Sequence, residues 1–170
     1  MLTNTARIFV SLLLILAATF AAYYQVYTIA AFGILLTGMV VFGYFKEGTV
    51  ILAAKQFKHK NYENAKELLL SIKNPEWLNK RRKPYYHLIL GNIALQQLDY
   101  TTAQTHLAKA ATLGLKANDL GSTLMHLANI SLRNKNKTQG LYWIAEADKL
   151  PLTQKYKSIL KNIAHEIEKL

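Results

Sequence analysis

The chain has 170 residues, 21 basic against 10 acidic side chains, a formal net charge of +11, and no cysteine. The missing cysteine excludes disulfides, thiol catalysis, and cysteine-built zinc or iron–sulfur sites. The positive balance points to anionic surfaces, a membrane leaflet first and nucleic acid second.

Residues 8–45 carry no Asp, Glu, Lys or Arg. Every acidic residue and every basic one except Arg7 lies beyond them. A single helix over this stretch would be about 57 Å long at 1.5 Å per residue, well beyond the ~30 Å core of a bilayer. Its middle is more polar and aromatic, with Tyr23, Tyr24, Gln25, Tyr27 and Thr28. The pattern predicts a transmembrane hairpin of two helices, about 8–22 and 26–45, joined by a tight turn. The tyrosines suit a membrane–water interface. Small residues recur at fours, Ala17 with Ala21 and Gly33 with Thr37, a spacing that lets helices approach closely.

The alternative for the first 22 residues is a cleaved signal peptide. Thr19 and Phe20 stand where such a cleavage site prefers small residues. Arg7 lies before the first span, and Lys46, Lys55, Lys58 and Lys60 follow the second. The positive-inside rule then places both termini and everything after residue 45 in the cytoplasm. Without a charge in either span there is no sign of an ion pathway.

Beyond residue 46 the chain becomes a repeat. Three times an apolar helix ends in a short polar turn and a second helix begins. Ala65, Ala103 and Gly140 are equivalent, spaced by 38 and 37 residues. In the middle unit Leu90, Gly91, Ala94, Tyr100, Ala103, Leu107 and Ala110 form the clearest pattern. These residues resemble the offsets of the tetratricopeptide repeat family, which imply that Gly91 and Ala103 are small where two helices cross and that Leu90 and Leu107 fill the seam. Between the first two units, Asn74-Pro75 ends a helix, 76–78 suits a short turn, and Pro84 suits a helix start. The stretch 114–121 reads as the second link. The pattern over about 46–152 resembles the tetratricopeptide repeat (TPR) family, in its membrane-anchored bacterial type, whose unit is a 34-residue helical hairpin. The outer units depart from it: Ala53 and Ala128 replace the glycine, and Thr49 and Leu124 stand where the family often has tryptophan.

The expected fold is therefore all-α. A transmembrane hairpin precedes a solenoid of three TPR-like helical hairpins, about 46–79, 84–117 and 121–152. A closing helix follows over 153–170. Tyr156, Ile159, Leu160, Ile163, Ala164 and Ile167 give that last helix one apolar stripe, and Thr153 can cap it. A solenoid needs such a closure because its last repeat would otherwise expose an apolar face.

Chemistry is not written in the chain. His59, His87, His106, His126 and His165 are scattered, and none pairs with another at a metal-binding spacing in the sequence. There is no phosphate loop, nucleophile elbow or isolated carboxylate pair. The reading is of a non-enzyme with no catalytic residue, metal or cofactor. Lys80, Arg81, Arg82 and Lys83 form a basic cluster beside Trp77, Tyr85 and Tyr86. It reads as a solvated link, as a patch for anionic lipid or acidic protein, or, least of all, as a nucleic-acid contact.

The resemblance implies a groove along the first helices of each unit that holds a peptide or a partner helix. Carried over by position, it gives Val50, Ala54 and Phe57 in the first unit. It gives Tyr85, Leu88, Asn92 and Gln96 in the second, and Ser122, Met125, Asn129 and Arg133 in the third. Asn92 and Asn129 share one repeat position, where the family often bonds a ligand backbone through asparagine. The expectation is a membrane-tethered adaptor or scaffold, integral to a bacterial inner membrane. It would bind a protein on the cytoplasmic face and help assemble a membrane complex. A structural subunit of such a complex, or a basic module for anionic lipid or RNA, are the alternatives.

Overall fold

The computed structural model describes the backbone of residues 4–170 and their side chains except those of 4–8, 39–47 and 155. Arg7 and Lys46, the inner flanks of the expected hairpin, and Gly43 fall outside the described side chains. Every regular element among the described residues is helical. The chain divides into two compact units, Met1–Leu52 and Ala53–Leu170.

In the first unit α1, Asn4–Tyr23, is followed by α2, which starts at Tyr27. The turn between them closes on Gln25, at φ 59°. The Gln25 amide donates to the Ala22 carbonyl (3.0 Å) and the Val26 amide to that of Ala21 (2.9 Å). These are helix-end bonds that satisfy carbonyls the helix itself leaves open. The two helices meet where Gly33 faces Ala18: a Cβ on Gly33 would lie 2.9 Å from the Ala18 Cβ. The small residue used on α1 is thus Ala18, one position on from the expected Ala17, which is exposed. Among the described residues up to Gly38, Ala18 and Ala30 are the buried hydrophobics, while Phe9, Leu12, Leu16, Phe20, Phe32 and Leu35 point outward.

Among the described residues no helix is long and apolar enough to cross a membrane. The structure supports a helical hairpin here, but not by itself the expected transmembrane one. The expected break near residue 46 is also absent. α2 runs unbroken over Tyr27–Lys58, through Gly48, because a glycine inside a helix costs only about 1 kcal/mol. The first helix of the first repeat is therefore the end of α2, and the boundary between the two units falls within that helix.

The second unit repeats one device three times. The end of α2 turns into α3 (Tyr62–Leu70), α4 (Lys83–Gln96) into α5 (Tyr100–Thr112), and α6 (Ala117–Arg133) into α7 (Lys137–Asp148). The turns place Lys60, Leu98 and Lys135 at φ 61°, 60° and 53°. Each gives the same two bonds: Lys60 to Phe57 and Asn61 to Gln56, Leu98 to Leu95 and Asp99 to Ala94, Lys135 to Leu132 and Asn136 to Ser131. Asp99 and Asn136 then cap the second helices, accepting from the amides of Thr102 and Gln139. Asn61 holds the same position without a side-chain bond.

The core runs from Ala94, Ala103 and Leu107 through Leu124, Leu127 and Ile130 to Trp143, Ile144, Leu160 and Ile167. Gly91 serves the expected crossing, since an added Cβ would come within 2.7 Å of the Leu107 side chain. Gly121 corrects the expected link over 114–121. It lies inside α6, where an added Cβ would meet Leu152 at 2.3 Å, and the chain turns instead at Gly114 (φ +89°). The last helix, α8 (Gln154–Glu168), packs on α6 and α7. It buries Leu160 and Ile167, and Gly140 is the small residue beneath Ile167. Thr153 stands at its N-cap without a side-chain bond.

Neighbouring repeats are also tied by a polar register that the sequence does not announce. Lys66 of α3 donates to Gln97 at the end of α4 (3.3 Å), and Gln97 donates to Glu63 (3.2 Å). One repeat on, Asn134 at the end of α6 donates to Gln104 of α5 (3.4 Å), and Gln104 donates to Gln139 (3.0 Å). Position for position the first bond of each set is the same contact.

Candidate functional site

The expected groove positions of the second and third repeats lie on α4 and α6. Tyr85, on the first turns of α4, donates its hydroxyl to Asp119 on α6 at 2.7 Å. Burial and that carboxylate together push the Tyr85 hydroxyl up to about 12. Tyr85 is therefore a strut between two first helices, its polar end already engaged. Leu88 and Met125 are half-buried and lean on the core. Ser122 turns its hydroxyl back to the Asp119 carbonyl.

Asn92 is half-buried, Asn129 is exposed, and neither side chain has a hydrogen-bond partner among the described residues. Each amide can give two hydrogens and accept at one oxygen, which matches the N–H and C=O of a peptide backbone. Gln96 is exposed nearby along α4. Arg133 is not free for an acidic ligand alone, because its guanidinium lies 4.4 Å from the centre of the Tyr100 ring. Such stacking contributes roughly 0.5–1 kcal/mol at an exposed site.

The first repeat contributes less. Val50 is 1% exposed, so it packs rather than lines a surface, which corrects its expected role. Phe57 stacks on Tyr62 with centres 5.4 Å apart. Ala54 is exposed.

The basic cluster is not one patch. Lys83 pairs with Glu76, whose carboxyl is held below its ordinary range by that bond. Arg82 occupies the N-cap position of α4 and its Nε is buried without a partner. Lys80 and Arg81 are exposed. Two of the four residues are thus committed to the fold of the link.

Two histidines that are far apart in sequence come together. His87 of α4 and His106 of α5 bring their Nδ1 atoms to 3.0 Å. One ring donates and the other accepts, so the pair favours neutral imidazoles. Burial lowers His87 to about 4, and burial with the Lys109 charge lowers His106. The signal was present in the seam. His87 is one turn before Gly91 and His106 adjoins Leu107, so the crossing of those two residues brings the rings together. Among the described residues no group of three or more His, Asp or Glu side chains could hold a metal ion.

Comparison with protein-family models, with curated proteins and with solved structures gives no match.

Proposed function

We propose that this chain is a membrane-anchored helical-repeat scaffold, of the TPR kind, that binds a protein partner along α4 and α6. The observation that carries the reading is the pair Asn92 and Asn129. They stand in one register of a repeated helical hairpin and both have unengaged amides. Leu88 and Met125 beside them offer apolar contact, and Gln96 extends the polar row. A partner in extended or helical form would exchange backbone or side-chain hydrogen bonds with the two amides.

The anchor is the α1–α2 hairpin. Its large side chains face outward and its crossing is made by Gly33 and Ala18. The Thr19 and Thr37 hydroxyls bond carbonyls of their own helices (2.8 Å each), as a polar group in hydrocarbon requires. Tethering raises the local concentration of the groove at the membrane without demanding high affinity. The cytoplasmic side follows from the basic flanks.

A second reading, a structural subunit held in a membrane complex by the hairpin itself, is favoured by one feature. Ile15, Ala18, Thr19, Ala22, Ala30, Ile34, Thr37 and Gly38 line a groove of about 460 Å³ between α1 and α2. Small residues on such a surface admit another helix at close range.

The test is comparative capture from mild detergent with the full chain and with Asn92→Ala/Asn129→Ala. The scaffold reading expects a partner held by the first and lost by the second, with unchanged thermal unfolding. Equal capture by both would remove the groove. A stoichiometric complex that survives deletion of the repeats would establish the second reading instead.

A further inference from the structure

The link between α3 and α4 carries an exposed tryptophan. Pro75–Trp77 forms a 3₁₀ turn, capped by Asn74, whose side chain accepts from the Glu76 amide. The Trp77 amide donates to the Asn74 carbonyl and the Leu78 amide to that of Pro75. Leu78 is buried, which fixes the link from below. Trp77, next to it, is 66% exposed, and Leu70 at the end of α3 is exposed as well. A large indole held outward by an ordered turn is unlike the other tryptophan, Trp143, which lies in the core.

The charges of the same link are one-sided. Lys73, Lys80 and Arg81 are exposed and make no ion pair among the described residues. The single acid, Glu76, is already paired with Lys83. The link and the end of α3 therefore expose two large apolar side chains and three cations that make no ion pair among the described residues. Tryptophan beside lysine and arginine is the composition of a membrane–water interface: the ring enters the headgroup layer and the cations meet anionic lipid. Base stacking would also use an indole, but it leaves the aliphatic Leu70 without a role. A bilayer interface takes both.

We propose that this link is a contact surface for an anionic bilayer, with Trp77 and Leu70 as the inserting side chains and Lys73, Lys80 and Arg81 as the headgroup contacts. The proposal rests on the membrane reading of the hairpin for its setting, but not for its residues. Three cations near a charged leaflet favour contact with an anionic over a neutral surface by on the order of 100-fold at low salt.

The two tryptophans make the test direct. The full chain carrying Trp143→Phe reports Trp77 alone. It is reconstituted into vesicles of phosphatidylcholine, with and without phosphatidylglycerol, and separated by flotation. The expected result is a blue-shifted emission, quenched by brominated lipid, in the anionic vesicles only. High salt and the triple variant Lys73→Gln/Lys80→Gln/Arg81→Gln should reverse it. A chain that floats while its Trp77 emission stays at the detergent value overturns the contact and leaves the anchor standing. A shift of equal size in neutral vesicles overturns the electrostatic recognition. A shift with single-stranded RNA in detergent, and none with anionic vesicles, would make the link a nucleic-acid surface. A chain that does not float overturns the anchor, and anionic vesicles added to it then decide the contact separately.

Discussion

The hairpin and the repeats are built from the same apolar residues turned opposite ways. In α1 and the first part of α2, leucine and phenylalanine face outward: Leu16 is 68% exposed and Phe32 71%. In the repeats Leu69, Leu107 and Leu127 are at 0%. Burial in a folded core stabilises a leucine by roughly 1.5–3 kcal/mol relative to water. The second unit gains that within itself. The described part of the first does not, and a row of outward apolar side chains calls for an apolar surrounding. The difference shows that composition alone does not tell inward apolar side chains from outward ones; only the packing of each helix does.

The largest expected effect breaks the second half of this comparison. Leu107→Ala removes the side chain packed on Gly91 and should cost about 2–5 kcal/mol, read as a lower midpoint in denaturant unfolding. Leu16→Ala, on the outer face of the hairpin, should leave that transition within about 0.5 kcal/mol. Equal losses would mean that the outward side chains of α1 also belong to a protein core.

Next is acid sensitivity of the repeats. His87 is held near 4 against an ordinary value of 6.5, so it is neutral when folded and takes a proton when unfolded. A lowered histidine contributes stability that is present above about pH 6.5 and is lost as pH falls towards 4. At about 1.4 kcal/mol per unit, reduced for solvent screening, His87 alone accounts for roughly 2–3 kcal/mol, and His106 and His126 are lowered in the same direction. Unfolding by urea at about pH 7 and about pH 4.5 should show the loss. His87→Phe should flatten the dependence, and a profile identical to that of the parent would contradict the paired, neutral geometry.

Glycine separates the regions on a smaller scale. Gly91→Ala drives a methyl into Leu107, close to its backbone nitrogen as well as its side chain, and should cost about 1–3 kcal/mol. Gly38→Ala meets nothing within 4 Å, and as a helix interior change it should be neutral or stabilise by about 0.5–1 kcal/mol. Calorimetry of both variants in detergent reads the contrast. The smallest effect is in the turns. Asp99→Ala removes a bond to Thr102 and should cost about 1 kcal/mol, while Asn61→Ala, where no side-chain bond is made, should cost a few tenths. Equal losses would mean the three turns are not distinguished by their caps.

Much of this fold was legible. The equivalence of Ala65, Ala103 and Gly140 appears in the structure as three turns closed by the same two backbone bonds, and the apolar stripe of 153–170 lies on α6 and α7. What was hidden has physical causes. The change of pattern at residue 46 resembled a break, but helix propagation outweighs the cost of Gly48, so α2 continues. Gly121 resembled a turn and is a packing glycine, since a glycine in sequence does not reveal whether it frees the backbone or admits a neighbour. The turns themselves place Lys60, Leu98 and Lys135 where glycine is the usual residue. Their side chains therefore gave no warning. Of the residues expected to line a groove, Asn92 and Asn129 keep amides without a hydrogen-bond partner among the described residues. Tyr85 and Arg133 are engaged by Asp119 and Tyr100, contacts that join different helices and leave no mark in local spacing. The His87–His106 contact was legible only through the Gly91–Leu107 crossing that brings the two rings together.

The central claim is that the outward face of the hairpin meets lipid. A chain without cysteine allows it to be tested one position at a time. Phe32→Cys and Lys135→Cys are prepared separately in the full chain, in membrane vesicles with the cytoplasmic face outward, and exposed to a membrane-impermeant maleimide before and after dissolution and unfolding in denaturing detergent. Both positions are open in the fold itself. The account predicts rapid labelling at 135 throughout, and protection at 32 that detergent dissolution relieves. Labelling at 32 as fast as at 135 in intact membranes would contradict it.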